Sequence, residues 1–218
     1  MSSIVLLSGG LDSAVSLAQA LREGKVKLCL TFDYGQRAAA REAAASAGLA
    51  GHYGLDHRVI ELPFLRSITS TSLVNLNEAV PEPGEGDLDS YDKSTESAKS
   101  VWVPNRNGIF INIAAGFAES MGAGQVVTGF NAEEAKTFPD NSAAYLQAAG
   151  QALYYSTLSG VRGLSYTMML NKTGIVKLGR RLGVPLAIVW PCYYGGEKLC
   201  GRCESCKRYL RALEAAGE

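Results

Sequence analysis

Apolar residues fall along this chain in short runs separated by longer stretches of helical period. Ile4-Val5-Leu6-Leu7 is a continuous apolar run that stops at Ser8-Gly9-Gly10, the pattern of a buried parallel strand. From Asp12 to Glu23 the period changes. Val15, Leu17, Ala18 and Leu21 form a broad apolar helical face, and Gly24 closes it. Residues 26–32 predict a second strand, 38–48 an Ala-rich helix and 58–62 a third strand. Beyond the middle of the chain the pattern predicts a helix over 109–121, a strand over 125–129, helices over 142–155 and 173–182, and a last short strand over 187–190. A cysteine cluster then runs into a final helix. Strands alternating with helices give an α/β fold, a doubly wound, mostly parallel sheet.

Residues 78–99 break this rhythm. They hold Pro81, Pro83, Gly84 and Gly86, and seven acidic residues against two lysines, a net −5. This composition predicts a mobile acidic loop or lid. Residues 160–218 have the opposite bias, ten basic residues against four acidic, a net +6. Two readings stand for that surplus: a solvated face with countercharge for the cysteine cluster, or a site for an anionic substrate or RNA.

The whole chain is neutral, with 21 basic and 21 acidic residues among 218. That argues against coating nucleic acid through bulk charge. Hydrophobic residues at 47% and charged residues at 19% are usual for a packed globular protein. No apolar run approaches membrane-spanning length, and the first eight residues lack the basic and apolar regions of a signal peptide. The expected location is the cytoplasm, with no membrane partner. In a reducing compartment the five cysteines read as metal ligands or catalytic thiols before disulfides.

The first chemical motif is Ser8-Gly9-Gly10-Leu11-Asp12-Ser13, between strand and helix. Paired glycines let backbone N–H groups approach a ligand closely, and the following helix presents its positive end. With Leu7 before it, the segment forms a cradle for pyrophosphate. Asp12 beside phosphates makes sense as a helix cap or as a ligand for Mg²⁺. The P-loop lysine motif and the dinucleotide fingerprint are both absent. The cradle therefore suits ATP cleaved between its α and β phosphates.

Cys192, Cys200, Cys203 and Cys206 have the spacing C-x7-C-x2-C-x2-C. Four thiolates with no open position describe a structural Zn²⁺; the C-x2-C-x2-C run also occurs around iron–sulfur clusters. Lys198, Arg202, Lys207, Arg208 and Arg211 would offset the negative charge of the centre. Cys29, inside the second strand, reads as an inert core residue, and His52 and His57 as surface or strand-edge residues.

Three further stretches lie after predicted strands or before helices, at the edge where doubly wound sheets bind ligands. They are Phe32-Asp33-Tyr34-Gly35-Gln36-Arg37, then Val103-Pro104-Asn105-Arg106-Asn107, then residues 128–142 with Phe138-Pro139-Asp140-Asn141-Ser142. Arginine and asparagine there offer a fork for carboxylate or phosphate and amide recognition.

The motif S-G-G-x-D-S resembles the PP-loop of the ATP-pyrophosphatase superfamily. With F-D-Y-G-Q-R, V-P-x-R-N, the Pro-Asp loop and the cysteine set, the chain resembles the 7-cyano-7-deazaguanine (preQ0) synthase family in order and over essentially its whole length. Ala38 stands where many members have His, and Asn141-Ser142 where many have Cys-Arg. The resemblance implies an adenine nucleotide alpha-hydrolase-like fold and ATP-dependent conversion of 7-carboxy-7-deazaguanine and ammonia to the nitrile. An adenylated carboxylate and then an amide lie between. It also implies a homodimer that does not bind nucleic acid directly. On this basis Leu7, Ser8, Gly9, Gly10, Leu11, Asp12 and Ser13 hold ATP, with Mg²⁺ nearby. Asp12, Ser13 and Arg106 serve the chemistry. Tyr34, Gln36, Arg37, Asn105, Arg106, Asn107 and Asp140 meet the substrate, with Asp140 facing the guanine-like N–H edge. The expected division is an ATP-binding domain over 1–190 and a zinc-binding segment with its helix over 191–218. A tRNA-modifying enzyme of the thiolation type, a paralogue that uses another nucleophile, and a nucleotide-binding module without chemistry are the competing readings.

Overall fold

A computed structural model describes residues 1–84 and 86–217. Glu85 of the expected acidic loop and Glu218 of the C-terminal segment lie outside the described residues. Five parallel strands form one sheet: β1 (Ser2–Leu6), β2 (Lys25–Asp33), β3 (His57–Glu61), β4 (Gln125–Thr128) and β5 (Arg162–Ser165). Their order is β3-β2-β1-β4-β5. The chain builds outward from β1 to β3, then returns to place β4 on the other side of β1. The crevice where strand order reverses lies above the carboxyl ends of β1 and β4, where open α/β sheets bind ligands.

Alternate side chains of the strands serve two cores. Ile4 and Val126 face one layer, built with α5 (Arg106–Ser120) and α6 (Ala143–Ser156) through Ile111, Ala114, Leu146 and Leu153. Val5 and Val127 face the other. That layer contains α1 (Leu11–Glu23), α2 (Ala39–His52), α7 (Lys172–Leu182) and α8 (Glu204–Ala215), contributing Val15, Leu49, Ile175 and Tyr209. Two short helices, α3 (Pro63–Ser67) and α4 (Tyr91–Ser100), lie in the long connection between β3 and β4. Ser142 and Asn171 cap α6 and α7, their side chains accepting from the Tyr145 and Gly174 amides at 3.1 and 2.8 Å. Cys29 is buried in β2, and its thiol is pushed up to about 12 by burial. Among the described residues no helix is long and apolar enough to cross a membrane.

Two expectations are corrected. The last strand, expected over 187–190, is a 3₁₀ turn at Leu186–Ile188. The fifth strand is Arg162–Ser165, an edge strand of sequence RGLS with only partial burial, so no apolar run marks it. Nor is the segment 78–99 a loop throughout. Gly86–Asp89 is a 3₁₀ turn, and α4 follows, with the Ser90 hydroxyl accepting from the Lys93 amide at its start. Leu88, Ser94 and Ala98 are buried. Three apolar or small residues suffice here because the other contacts are polar, and polar contacts leave no periodic signature.

Candidate active site

A cavity of about 730 Å³ opens at the carboxyl ends of β1, β2 and β4. Its floor is the Gly turn. Gly9 has φ +77°, and a Cβ there would stand 2.8 Å from the Glu42 carbonyl and 2.9 Å from the Ala45 Cβ, so only glycine lets α2 close under the turn. The Ser13 hydroxyl accepts from the Ser8 amide at 3.2 Å, lies 3.1 Å from the Ser8 hydroxyl, and donates to the Gly10 carbonyl at 3.1 Å. Gly10 begins α1 without a side-chain cap. Asp12 therefore does not cap the helix, and the first-turn amides keep their capacity to bind an anion. On the β4 side, a Cβ on Gly129 would meet the Ser13 amide nitrogen at 2.8 Å, so that strand end also presses against the turn.

Asp12 belongs to a partly buried ion cluster. Its Oδ2 accepts from Lys172 Nζ at 2.5 Å, and Glu134 Oε1 accepts from the same ammonium at 2.6 Å. Asp12 Oδ1 is buried and makes no hydrogen bond. Burial pushes the Asp12 carboxyl up to about 6, against the pull of Lys172, with Glu134 and Glu133 adding to the rise. Burial alone would lower Lys172, but the two carboxylates outweigh it and raise the ammonium. Glu134 is held below the usual carboxylate range by Lys172, against burial. A buried carboxylate oxygen without a donor fits a hard cation such as Mg²⁺, which takes oxygen ligands.

The opposite wall carries Tyr34, Arg106, Asn107 and Phe110. Arg106 donates to the Tyr34 hydroxyl at 3.0 Å, and its guanidinium lies 5.8 Å from that ring's centre. Asn105, just before α5, adopts a left-handed conformation at φ +53°. Asn107 Nδ2 donates to the Asp140 carbonyl at 3.5 Å. Burial raises the Asp140 carboxyl, with Arg106 opposing.

Of the residues singled out in the sequence, Leu7, Ser8, Gly10, Leu11, Asp12, Ser13, Tyr34, Arg106 and Asn107 line one cavity. Among the described residues its walls do not include Gly9, Gln36, Arg37, Asn105 or Asp140. Gln36 instead clamps its own loop: Nε2 donates to the Phe32 carbonyl and Glu42, while Oε1 accepts from the Tyr34 amide. Arg37 donates to the carbonyls of Ser72, Asn75 and Glu78, binding the long connection to the strand edge.

The periodic reading missed Lys172 and Arg208, both cavity-lining. A faint signal existed for the first. A lysine in the opening turn of a helix opposes the macrodipole, so it needs a compensating partner. Arg208 pairs with Glu133 and Glu204, each at 2.7 Å, and donates to Ser94 of α4 at 3.1 Å.

Beside the cavity, the Sγ atoms of Cys192, Cys200, Cys203 and Cys206 all lie within 4.8 Å of one another. Cys200 and Cys206 are 3.8 Å apart. A tetrahedral ion with metal–sulfur bonds of about 2.3 Å needs sulfur separations of about 3.8 Å, so the donor set fits a tetrathiolate ion. The Cys203 and Tyr194 amides donate to Cys200 and Cys192 sulfur at 3.3 Å, as bound thiolates require.

Residues 2–217 match the family described as Queuosine biosynthesis protein QueC. The chain belongs to the QueC family. A relative from Pelotomaculum thermopropionicum is 62% identical over 217 residues, covering 100% of this chain and 98% of that protein. One from Desulforudis audaxviator is 55% identical, with 100% and 98% covered, and one from the archaeon Methanosarcina mazei is 50% identical, with 100% and 95% covered. All three are called 7-cyano-7-deazaguanine synthase. Among solved structures, NMN synthetase from Francisella tularensis is similar with a TM-score of 0.48 and 16% identity, over 99% of this chain and 84% of that one. Within this QueC chain, the glycine turn, the Asp12 cluster and the Arg106 wall face one another across a single cavity.

Proposed function

We propose that the protein converts 7-carboxy-7-deazaguanine, ammonia and ATP to 7-cyano-7-deazaguanine in queuosine biosynthesis. The observation that carries this reading is a PP-type glycine turn and a half-buried arginine lining one cavity, in a chain 62% identical throughout to a protein bearing that name. A carboxylate oxygen attacks the α-phosphorus of ATP, and pyrophosphate leaves into the turn formed by Ser8, Gly9, Gly10 and Ser13. Ammonia then displaces AMP to give the amide and a proton. A second ATP is attacked by the amide oxygen, with loss of pyrophosphate and a proton. Departure of AMP and the remaining N–H proton leaves the nitrile.

Leu7 and Leu11 flank the phosphate turn, and the Asp12 Oδ1 and Ser13 hydroxyl are the polar groups there. Mg²⁺ would be held by Asp12 and would neutralise phosphate charge. Arg106 lies deep in the wall beside Tyr34, where its fork suits the substrate carboxylate. Asn107 completes that wall. Asn105, Asp140, Gln36 and Arg37 act from behind the cavity, by shaping the loops that carry it. The four cysteines fit Zn²⁺ best, since the set is closed and all-sulfur. Residues 1–190 then carry the chemistry and residues 191–218 the ion. Self-association as a homodimer agrees with the exposure of Tyr154, Tyr155 and Leu158 at 68%, 87% and 104%.

The test is incubation with ATP, Mg²⁺, ammonia and 7-carboxy-7-deazaguanine. The expected result is nitrile by mass spectrometry, with two AMP released per nitrile. ATP binding without turnover would favour a module without chemistry and overturn this reading. Sedimentation velocity reads the mass of the assembly. Elemental analysis reads the ion.

A further inference from the structure

Three hydrogen bonds in series join the floor of the cavity to the cysteine centre. The Trp190 amide donates to the Gly9 carbonyl at 2.8 Å. The Trp190 indole Nε1 donates to the Tyr194 carbonyl at 3.2 Å. The Tyr194 amide donates to Cys192 sulfur at 3.3 Å. One tryptophan thus holds the glycine turn with its backbone and the cysteine loop with its side chain. The Arg41 guanidinium, 5.2 Å from the Trp190 ring centre, fixes the indole from the α2 side. Trp190 also lines the cavity.

A second contact works in the same direction. A Cβ on Gly195 would stand 2.5 Å from the Arg37 carbonyl, so the cysteine loop is pressed against the loop that follows β2. The floor of the cavity and the loop after β2 that carries Tyr34 therefore both touch the segment that begins at Trp190.

From this we infer that Trp190 is a positioning residue through which the cysteine centre sets the shape of the glycine turn, so that ion binding and ATP binding are thermodynamically coupled. The inference rests on the assignment of that turn to ATP phosphates. An ion bound to Cys192 orders the loop to Tyr194. The indole transmits that order to residue 190, and the amide fixes the Gly9 carbonyl and with it the backbone course of the turn. Coupling of this kind is reciprocal: if the ion favours ATP, ATP must retain the ion.

Two measurements test it. In the full-length protein loaded with Co²⁺, whose thiolate absorption reports on the centre, a chelator removes the ion at a measurable rate. Saturating Mg²⁺-ATP should slow that removal at least threefold. The second measurement uses Trp190→Phe, which keeps a ring on Arg41 and the backbone amide but deletes the indole donor. It should retain one ion per chain, bind Mg²⁺-ATP three- to tenfold more weakly, and lose the protection by ATP. Equal removal rates with and without ATP in the parent overturn the inference, whether or not the variant folds. So does ATP affinity within twofold of the parent in an ion-loaded variant. Absence of ATP binding by the parent itself would overturn the proposed function, and this inference with it.

Discussion

The two sides of the cavity are held by different physics. The glycine turn is closed internally by residues within five positions of one another, through hydroxyl and amide contacts of 3.1–3.2 Å between Ser8, Gly10 and Ser13, with Trp190 and Lys172 reaching it from far along the chain. The side formed by the acidic segment and α8 is built from residues more than a hundred positions apart. There Arg211 pairs with Asp89, Arg208 donates to Ser94, Ser97 donates to Glu204, Arg202 pairs with Glu82, and Lys207 donates to the Pro83 carbonyl. The acidic and basic surpluses of the sequence are thus partly spent on each other. One side depends on backbone conformation, which tolerates salt. The other depends on charge pairs, and those at the rim are screened.

The largest effect is expected at the turn. Asp12→Ala should lower nitrile formation about a hundred- to a thousandfold while circular dichroism stays native, since it removes a carboxylate oxygen that lines the cavity without a hydrogen-bond donor and is proposed to hold Mg²⁺. An active variant would separate the turn from the chemistry. Next is Lys172→Met. It leaves the Asp12 and Glu134 carboxylates, 16% and 34% exposed, without their cation, and should cost about 1–3 kcal/mol, less than the roughly 3–5 kcal/mol of a fully buried pair, readable by denaturant melts. Cys203→Ser should lose the bound ion by elemental analysis. It should lower Tm by roughly 5 °C or more, because about 1 kcal/mol is worth 2–4 °C in a chain of this size. A normal melt would show that the centre does not support the fold.

Acid should act on the turn with a definite sign. Asp12 titrates at about 6 in the folded chain against 3.8 as a free group, so it takes up a proton that the unfolded chain would not. Below about 6 this group should favour the folded state, whereas Mg²⁺-ATP binding, on the role proposed for the Asp12 carboxylate, should weaken by up to about tenfold per pH unit. Calorimetric titration between pH 7 and 5 checks it. The smallest effect belongs to the rim: Arg211→Ala removes a pair with Asp89 that is 42% and 74% exposed, and should cost less than about 1 kcal/mol. A larger loss would mean that the charged side is as firmly built as the turn.

Four of the five strands and the positions of six helices were legible from the pattern of the sequence; β1, β2 and β4 bury a run, whereas β3 was legible although it buries none of its residues. β5, α3 and α4 were not. RGLS at a sheet edge needs no apolar run, and α4 buries only Ser94 and Ala98. The glycine turn and the grouping of the four cysteines were legible because both depend on spacing along the chain. Gln36 and Arg37 were legible as part of a motif, but their side chains are spent on loop carbonyls rather than on the cavity.

Local order, then, was contained in the chain itself: strand and helix period, a turn that requires Gly9, and a set of thiols spaced for one ion. Partnership was decided only by folding. Nothing along the sequence pairs Lys172 with Asp12, Arg208 with Glu133, or Trp190 with Gly9. Each of those contacts joins residues brought together by the return of the chain across β1. A charge or a free backbone amide carries no mark of its partner until the fold brings the two together.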